Sequence, residues 1–371
     1  MKRILIISLF PLLIYISVFS SHAAYDDTDF GQGELINALP DDTRNLMQNY
    51  DITPDNAGAL SLNPFTIIRS LIDVFLDELS RPFKMLAALV GVILLCAAAE
   101  TLRDSTGANR ASDTFSIVGV LAGAGMMIVY ISDCVVRAAA VLNAGAAFLL
   151  VFVPVFAGIM AVCGQLTTAS VFSASLIAAG QFFMYITSAV LVPLTSCILG
   201  VSTAGAVNSD LRIDSLSKTV SKIVTWTLIL LVTVFTGLLS LQSFISTSAD
   251  TVAMRAMKFT VSSTVPIVGG AVTDALATVR GSLNLLRGST GTFGIIAGIA
   301  LIAPTMISLF CHKIALSIAA AVSDIFNLRS LSSLLKSGES VVGIIFAMMF
   351  CFTLVLVISV ALMLLIWNGG M

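Results

Sequence analysis

Charge is scarce in this sequence. Of its 371 residues only 11% are Asp, Glu, Lys or Arg, against about 25% in ordinary soluble domains. With 57% hydrophobic residues and a mean hydropathy of +1.02, there is too little polar surface to cover a water-soluble fold of this size, which excludes most soluble enzyme classes. A net charge of −2 and a pI near 5.6 leave no basic footprint, so no nucleic-acid partner is expected. Histidine is confined to His22 and His312. The six cysteines, Cys96, Cys134, Cys163, Cys197, Cys311 and Cys351, are scattered through apolar segments without a C-x-x-C pair. That supports neither a zinc site nor a disulfide framework, and the thiols read as small hydrophobes. Phosphate-binding loops, nucleophile elbows and metal-ligand spacings are also missing. No cofactor, no metal and no catalytic residue are expected, and the chain reads as a non-enzyme.

What is present is a membrane protein. Lys2 and Arg3, an apolar run from Ile4 to Phe19, and Ser21-His22-Ala23 form a secretory signal peptide, with cleavage after Ala23 or Ala24. Residues 25–82 hold eleven of the 21 acidic residues and three basic ones. This extramembrane segment is expected to be weakly ordered at first, with a short helix around Thr43–Tyr50. An amphipathic helix follows at 64–80, with Asn63 as cap, Pro64 at the first position and Phe65, Ile68, Ile72, Phe75 and Leu79 at helical spacing.

Residues 83–371 read as an all-α polytopic helix bundle. Stretches near the ~20 residues that cross a bilayer occur at 83–101, 115–133, 138–163, 171–199, 223–242, 292–311 and 341–367. The fourth contains Gly180-Gln181 and Pro193, which predicts a kink or break. Asp133 and Arg137 fall between the second and third, as a local ion pair at a helix start. Seven spans behind an outer N-terminus place six basic residues inside and ten outside, against the positive-inside rule. Gly119-x-x-x-Gly123 and Gly294-x-x-x-Gly298 predict close helix packing within the chain, with a homo-oligomer as the alternative. The runs 144–154 and 294–304 are both small-residue-rich and close on a proline, an internal similarity of the kind transporter repeats show and an Ala-rich membrane sequence also produces by chance.

The stretch 243–291 is the most distinctive. Ser248 to Phe259 forms a polar-faced helix with Asp250 near its start and Arg255 and Lys258 further on, the order a helix dipole favours. Val265-Pro266-Ile267-Val268-Gly269-Gly270 then makes an apolar turn. A second helix, Ala271 to Leu286, carries Asp274 and Arg280, and Arg287 follows it. Helix, break, helix predicts a re-entrant or interfacial hairpin, or a loop packed on the membrane face.

The runs A-D-T-V-A-M-R-A-M-K-F and V-P-I-V-G-G-A-V-T-D-A resemble the hallmark of the stage III sporulation protein AE family, with Thr251 and Ser263 where that pattern has glycine. The resemblance implies a non-enzymatic, multi-pass subunit of the specialised secretion or channel complex linking mother cell and forespore. It implies a place in the mother-cell membrane facing the forespore, with other membrane proteins of the complex and a separate ATPase as partners. Asp250, Arg255, Lys258, Pro266, Gly269, Gly270 and Asp274 are the signature residues, expected to shape the hairpin or dock a partner. The alternative is a self-sufficient permease for a small solute, using broken helices around Gly180 and Gly269.

Overall fold

The computed structural model describes residues 32–49, 52–54, 64–106, 109–186, 189, 192–207, 214–264 and 269–365. The signal peptide at 1–24 and Pro266 lie outside them. Nine helices make up the described chain: α1 (Gln32–Asn37), α2 (Asp41–Asn49), α3 (Pro64–Thr106), α4 (Asn109–Val162), α5 (Leu166–Ile186), α6 (Val192–Val207), α7 (Asp214–Thr264), α8 (Gly269–Ile325) and α9 (Arg329–Leu365). Six segments among the described residues are long and apolar enough to cross a membrane: Glu78–Ala98, Val118–Val162, Leu166–Ile186, Thr219–Ala256, Gly281–Ile325 and Arg329–Leu364.

Helix continuity is where the structure departs most from the expected spans. Spans 115–133 and 138–163 lie on a single helix, α4, of 54 residues. The four residues between them contain neither glycine nor proline. Asp133 and Arg137 are ion-paired across one turn, which supports a helix rather than ending it. The polar pair that looked like a junction is therefore mid-helix. Likewise Ser248–Phe259 continues α7, since Gln242 to Thr264 holds no breaker, and 271–286 runs directly into the next apolar stretch as α8. The expected break in 171–199 falls between α5, which ends at Ile186, and α6, which begins at Val192, where most residues lie outside the described set. Gly180 stays helical.

Glycines show how the long helices align. A Cβ on Gly123 would lie 2.7 Å from Leu331, one on Gly338 2.6 Å from Met127, and one on Gly145 2.7 Å from Phe352, so α4 and α9 run side by side in the same direction. Antiparallel to both is α8, with Gly291 against Phe156 and Leu364 and Gly298 against Leu356. Phe148, Phe152 and Phe156 form a stacked ladder on α4 with centroids 5.5 and 5.4 Å apart, and Phe152 lies where a Cβ on Gly294 would stand. Lipid gives apolar helices little reason to associate, so such close fits supply the attraction through dispersion. Both small-xxx-small patterns serve contacts inside the chain, Gly119 facing Cys96.

Two tight turns close the bundle at opposite ends. After α4 the Gly164 N–H donates to Ala161 O and the Gln165 N–H to Met160 O, a Schellman motif that needs the positive φ of Gly164, 86°. After α8, Asn327 (φ 58°) takes the same place, with Leu328 N–H donating to Ser323 O. With those six candidate segments as crossings, Arg103, Arg110 and Lys218 lie in connections at the Asn327 end, and Lys258 and Arg280 in the one at the Gly164 end.

Candidate functional site

The acidic N-terminal segment docks at the Gly164 end. Leu35, Leu39 and Met47 are buried in the main core, and Ser289 of α8 donates to Pro54 O at 2.5 Å. Arg44 closes the C-terminus of α1, donating to Ile36 O, Asn37 O and Leu39 O at 3.2, 2.9 and 3.1 Å.

Asp250 sits at this end too, buried and 6% exposed. It does not begin its own helix, because α7 starts at Asp214. Instead it caps another. The backbone N–H groups of Thr167 and Thr168 donate to its two oxygens at 2.9 Å each, and the Thr168 hydroxyl donates at 2.6 Å. These are the second and third residues of α5, whose amides have no partner within the helix. The charge–dipole match expected of Asp250 is present, but the dipole belongs to α5, 82 residues away in sequence. Below this joint the α5–α7 seam continues with Ser175 Oγ donating to Gln242 Oε1 at 2.9 Å.

Arg287 does the complementary thing. Buried at 2% exposure, it donates through Nη2 to Met363 O, in the last turn of α9, where carbonyls lack helical partners and a cation is favoured. Its Nε and Nη1 have no hydrogen-bond partner among the described residues.

The remaining signature residues are not gathered around Asp250 by anything described. Arg255 is exposed on α7. Lys258 lies on α7, and Gly269, Gly270 and Asp274 open α8, with side chains outside the described set; Pro266 falls in the undescribed link. Sequence reasoning missed Thr167 and Thr168, whose signal was a polar pair just after Gly164-Gln165 in an otherwise apolar run. It also missed Glu78, which α3 brings 4.0 Å from Arg137, itself paired with Asp133. Among the described residues no group of three or more His, Cys, Asp and Glu is placed to hold a metal. The three hydrogen bonds that Asp250 accepts all come from α5, so it orders a helix start.

Comparison with known proteins bears on what this joint serves. A family model described as stage III sporulation protein AE matches residues 48–366. The chain belongs to the stage III sporulation protein AE family. Within it, the stage III sporulation protein AE of Bacillus subtilis (strain 168) is 22% identical over 274 residues, covering 71% of this chain and 66% of that relative, just under two thirds of its length. No solved structure matches. The family model takes in all of α3 to α9, so Asp250, the α5 start it caps and Arg287 all lie within it.

Proposed function

We propose that this chain is a non-enzymatic multi-pass subunit of the secretion or channel complex that joins mother cell and forespore during endospore formation. It sits in the mother-cell membrane facing the forespore and works beside other membrane proteins of that complex and a separate ATPase. The observation that carries this is the use made of Asp250. The acidic residue of the family signature is consumed in fastening two transmembrane helices to each other, as suits a scaffold. A permease would reserve its buried charges for a polar path at depth. The middle of this bundle is filled instead by Phe148, Phe152, Phe183 and Phe352, which disfavours that alternative.

Orientation follows from basic residues. Three described residues lie in connecting segments at the Asn327 end against two at the Gly164 end, which favours a cytoplasmic Asn327 end. The acidic segment then lies outside, as an exported N-terminus requires. Reading α4 as one crossing lowers the count from seven to six.

Deletion in the native spore former tests the function. Arrest after engulfment, together with co-purification of other membrane proteins of the complex, is the expected result. Normal spores accompanied by a solute-uptake defect would overturn it.

A further inference from the structure

We propose that Glu78 of α3 and His312 of α8 form a proton-binding site, in which one proton taken from solvent sits on the Glu78 carboxyl group and is shared with His312 Nε2. This does not depend on the sporulation reading.

The register of the long helices brings the two to one height. A Cβ on Gly338 of α9 would meet Met127 and Ile131 of α4, and one on Gly343 would lie 4.0 Å from the Lys313 side chain of α8. Because α4 and α9 run in the same direction, Gly343 stands level with the residues just beyond Ile131, which include Asp133 and Arg137. His312, next to Lys313, is therefore at the height of Arg137, and Arg137 Nη1 is 4.0 Å from Glu78 Oε2. α3 packs on both α4 and α8, and the charges of Glu78 and Arg81 both act on the His312 ring. Asp133 and Arg137 fall near the middle of the apolar stretch Val118–Val162, and His312 lies within Gly281–Ile325. Ionisable groups are costly in such stretches, and proton relays are among the uses that retain them.

Each member of the pair is short of one proton. His312 is 2% exposed, and its Nδ1 lies 2.7 Å from Ser308 O. A carbonyl oxygen only accepts, so Nδ1 carries the hydrogen and the neutral ring keeps a lone pair on Nε2. Glu78 Oε2 is buried without a hydrogen-bond donor among the described residues. Arg137 does not supply one, since 4.0 Å is outside hydrogen-bonding range and its Nη2 is given to Asp133. One proton on Oε2, donated to Nε2, satisfies both atoms. Away from water a neutral carboxyl–imidazole pair costs less than an ion pair, so the carboxyl group holds the proton.

The other groups around the ring are already committed or face outward. Asp133 and Arg137 of α4 pair with each other, and Arg81 of α3 is exposed. Cys311 and Lys313 flank the ring on α8, and Glu339 is one turn from Gly343 on α9. Within this group Glu78 Oε2 is the one buried side-chain oxygen or nitrogen left without a partner. Uptake of the proton cancels the attraction of Glu78 for Arg137 and moves the tie of α3 from α4 to α8. The site lies on the α3 side of the bundle, apart from the phenylalanines of α4, α5 and α9 that fill the middle, and opens no path for a solute.

The test uses the full-length chain in lipid nanodiscs, titrated between about pH 8 and 5, the range in which histidine-linked sites change charge. Infrared difference spectra should show the carbonyl stretch of a protonated carboxyl group growing as pH falls, and Glu78→Gln should remove it. In His312→Gln the same band should appear about one pH unit lower, a tenfold weaker hold on the proton, with helicity unchanged in both variants. The wild-type chain alone gives a second reading. Dicyclohexylcarbodiimide, which attacks protonated carboxyl groups in apolar surroundings, should attach to Glu78 faster at the acid end of the titration than at the alkaline end. A wild-type spectrum that Glu78→Gln leaves unchanged would overturn the inference. So would a His312→Gln chain that titrates like wild type, or carbodiimide attached to other acidic residues only.

Discussion

Asp250 of α7 receives both the backbone N–H and the hydroxyl of Thr168, at 2.9 and 2.6 Å, and so closes the start of α5 from another helix. An N-cap is usually supplied by the residue just ahead of the helix. Here that residue is Gln165, whose carbonyl accepts from Ala169, and a carboxylate from elsewhere meets the next amides.

Removing that carboxylate should loosen α5 against α7. Asp250→Ala strands three donors in an apolar setting, at a cost of about 3 kcal/mol. Asp250→Asn keeps an acceptor oxygen and should cost about 1 kcal/mol. Thermal unfolding of the two variants in one detergent measures the difference. Equal midpoints for Asp250→Ala and wild type would remove the capping role.

Arg287 separates charge from volume. Arg287→Met keeps most of the side-chain bulk, gives up the bond to Met363 O and removes a buried charge with two unpartnered nitrogens. The effects oppose one another, and stability should change by less than about 1 kcal/mol. Arg287→Ala leaves a hole as well and should cost about 2 kcal/mol. Denaturation of both variants under identical conditions checks the order.

Gly294 and Phe152 test the packing of α8 on α4. Gly294→Ala puts a methyl group where the Phe152 ring lies, and overpacking of this kind costs about 1–3 kcal/mol. Adding Phe152→Leu should recover part of the loss, a coupling that a double-mutant cycle measures. Strictly additive effects would mean the two side chains do not meet.

Much of this architecture was legible in the sequence because apolar composition and glycine spacing act locally. The apolar body and the close approaches at Gly119, Gly123, Gly294 and Gly298 follow from a few adjacent residues. Continuity was harder to see. Asp133 and Arg137 interrupt an apolar run as a loop would, yet four-residue spacing lets them pair along a helix. Whether they end a span depends on what else reaches them, and Glu78 reaches Arg137 from 59 residues upstream. The site was half legible for the same reason. That Asp250 should meet the positive end of a helix could be read from its neighbourhood, but which helix it meets is a property of the fold.

The continuity of α4 has its own consequence. A short hydrophilic epitope inserted after Val135 would be tolerated in a loop between two spans. In an unbroken 54-residue helix it should abolish stable accumulation in the membrane. An epitope inserted after Phe326, beside the Asn327 turn, should be accepted and be reached from the cytoplasmic side. Quantitative blotting of membranes and protease accessibility in right-side-out vesicles read these outcomes.

The most direct measurement compares Asp250→Asn and Asp250→Ala as sole copies in the native spore former, scoring heat-resistant spores and the amount of protein in the membrane together. If Asp250 serves to hold α5, Asp250→Asn should accumulate and sporulate close to wild type. Asp250→Ala should lose membrane protein and spores in parallel. An Asp250→Asn chain present at wild-type level but unable to support any spores would contradict this, because the ionisable proton rather than the helix joint would then be what function requires.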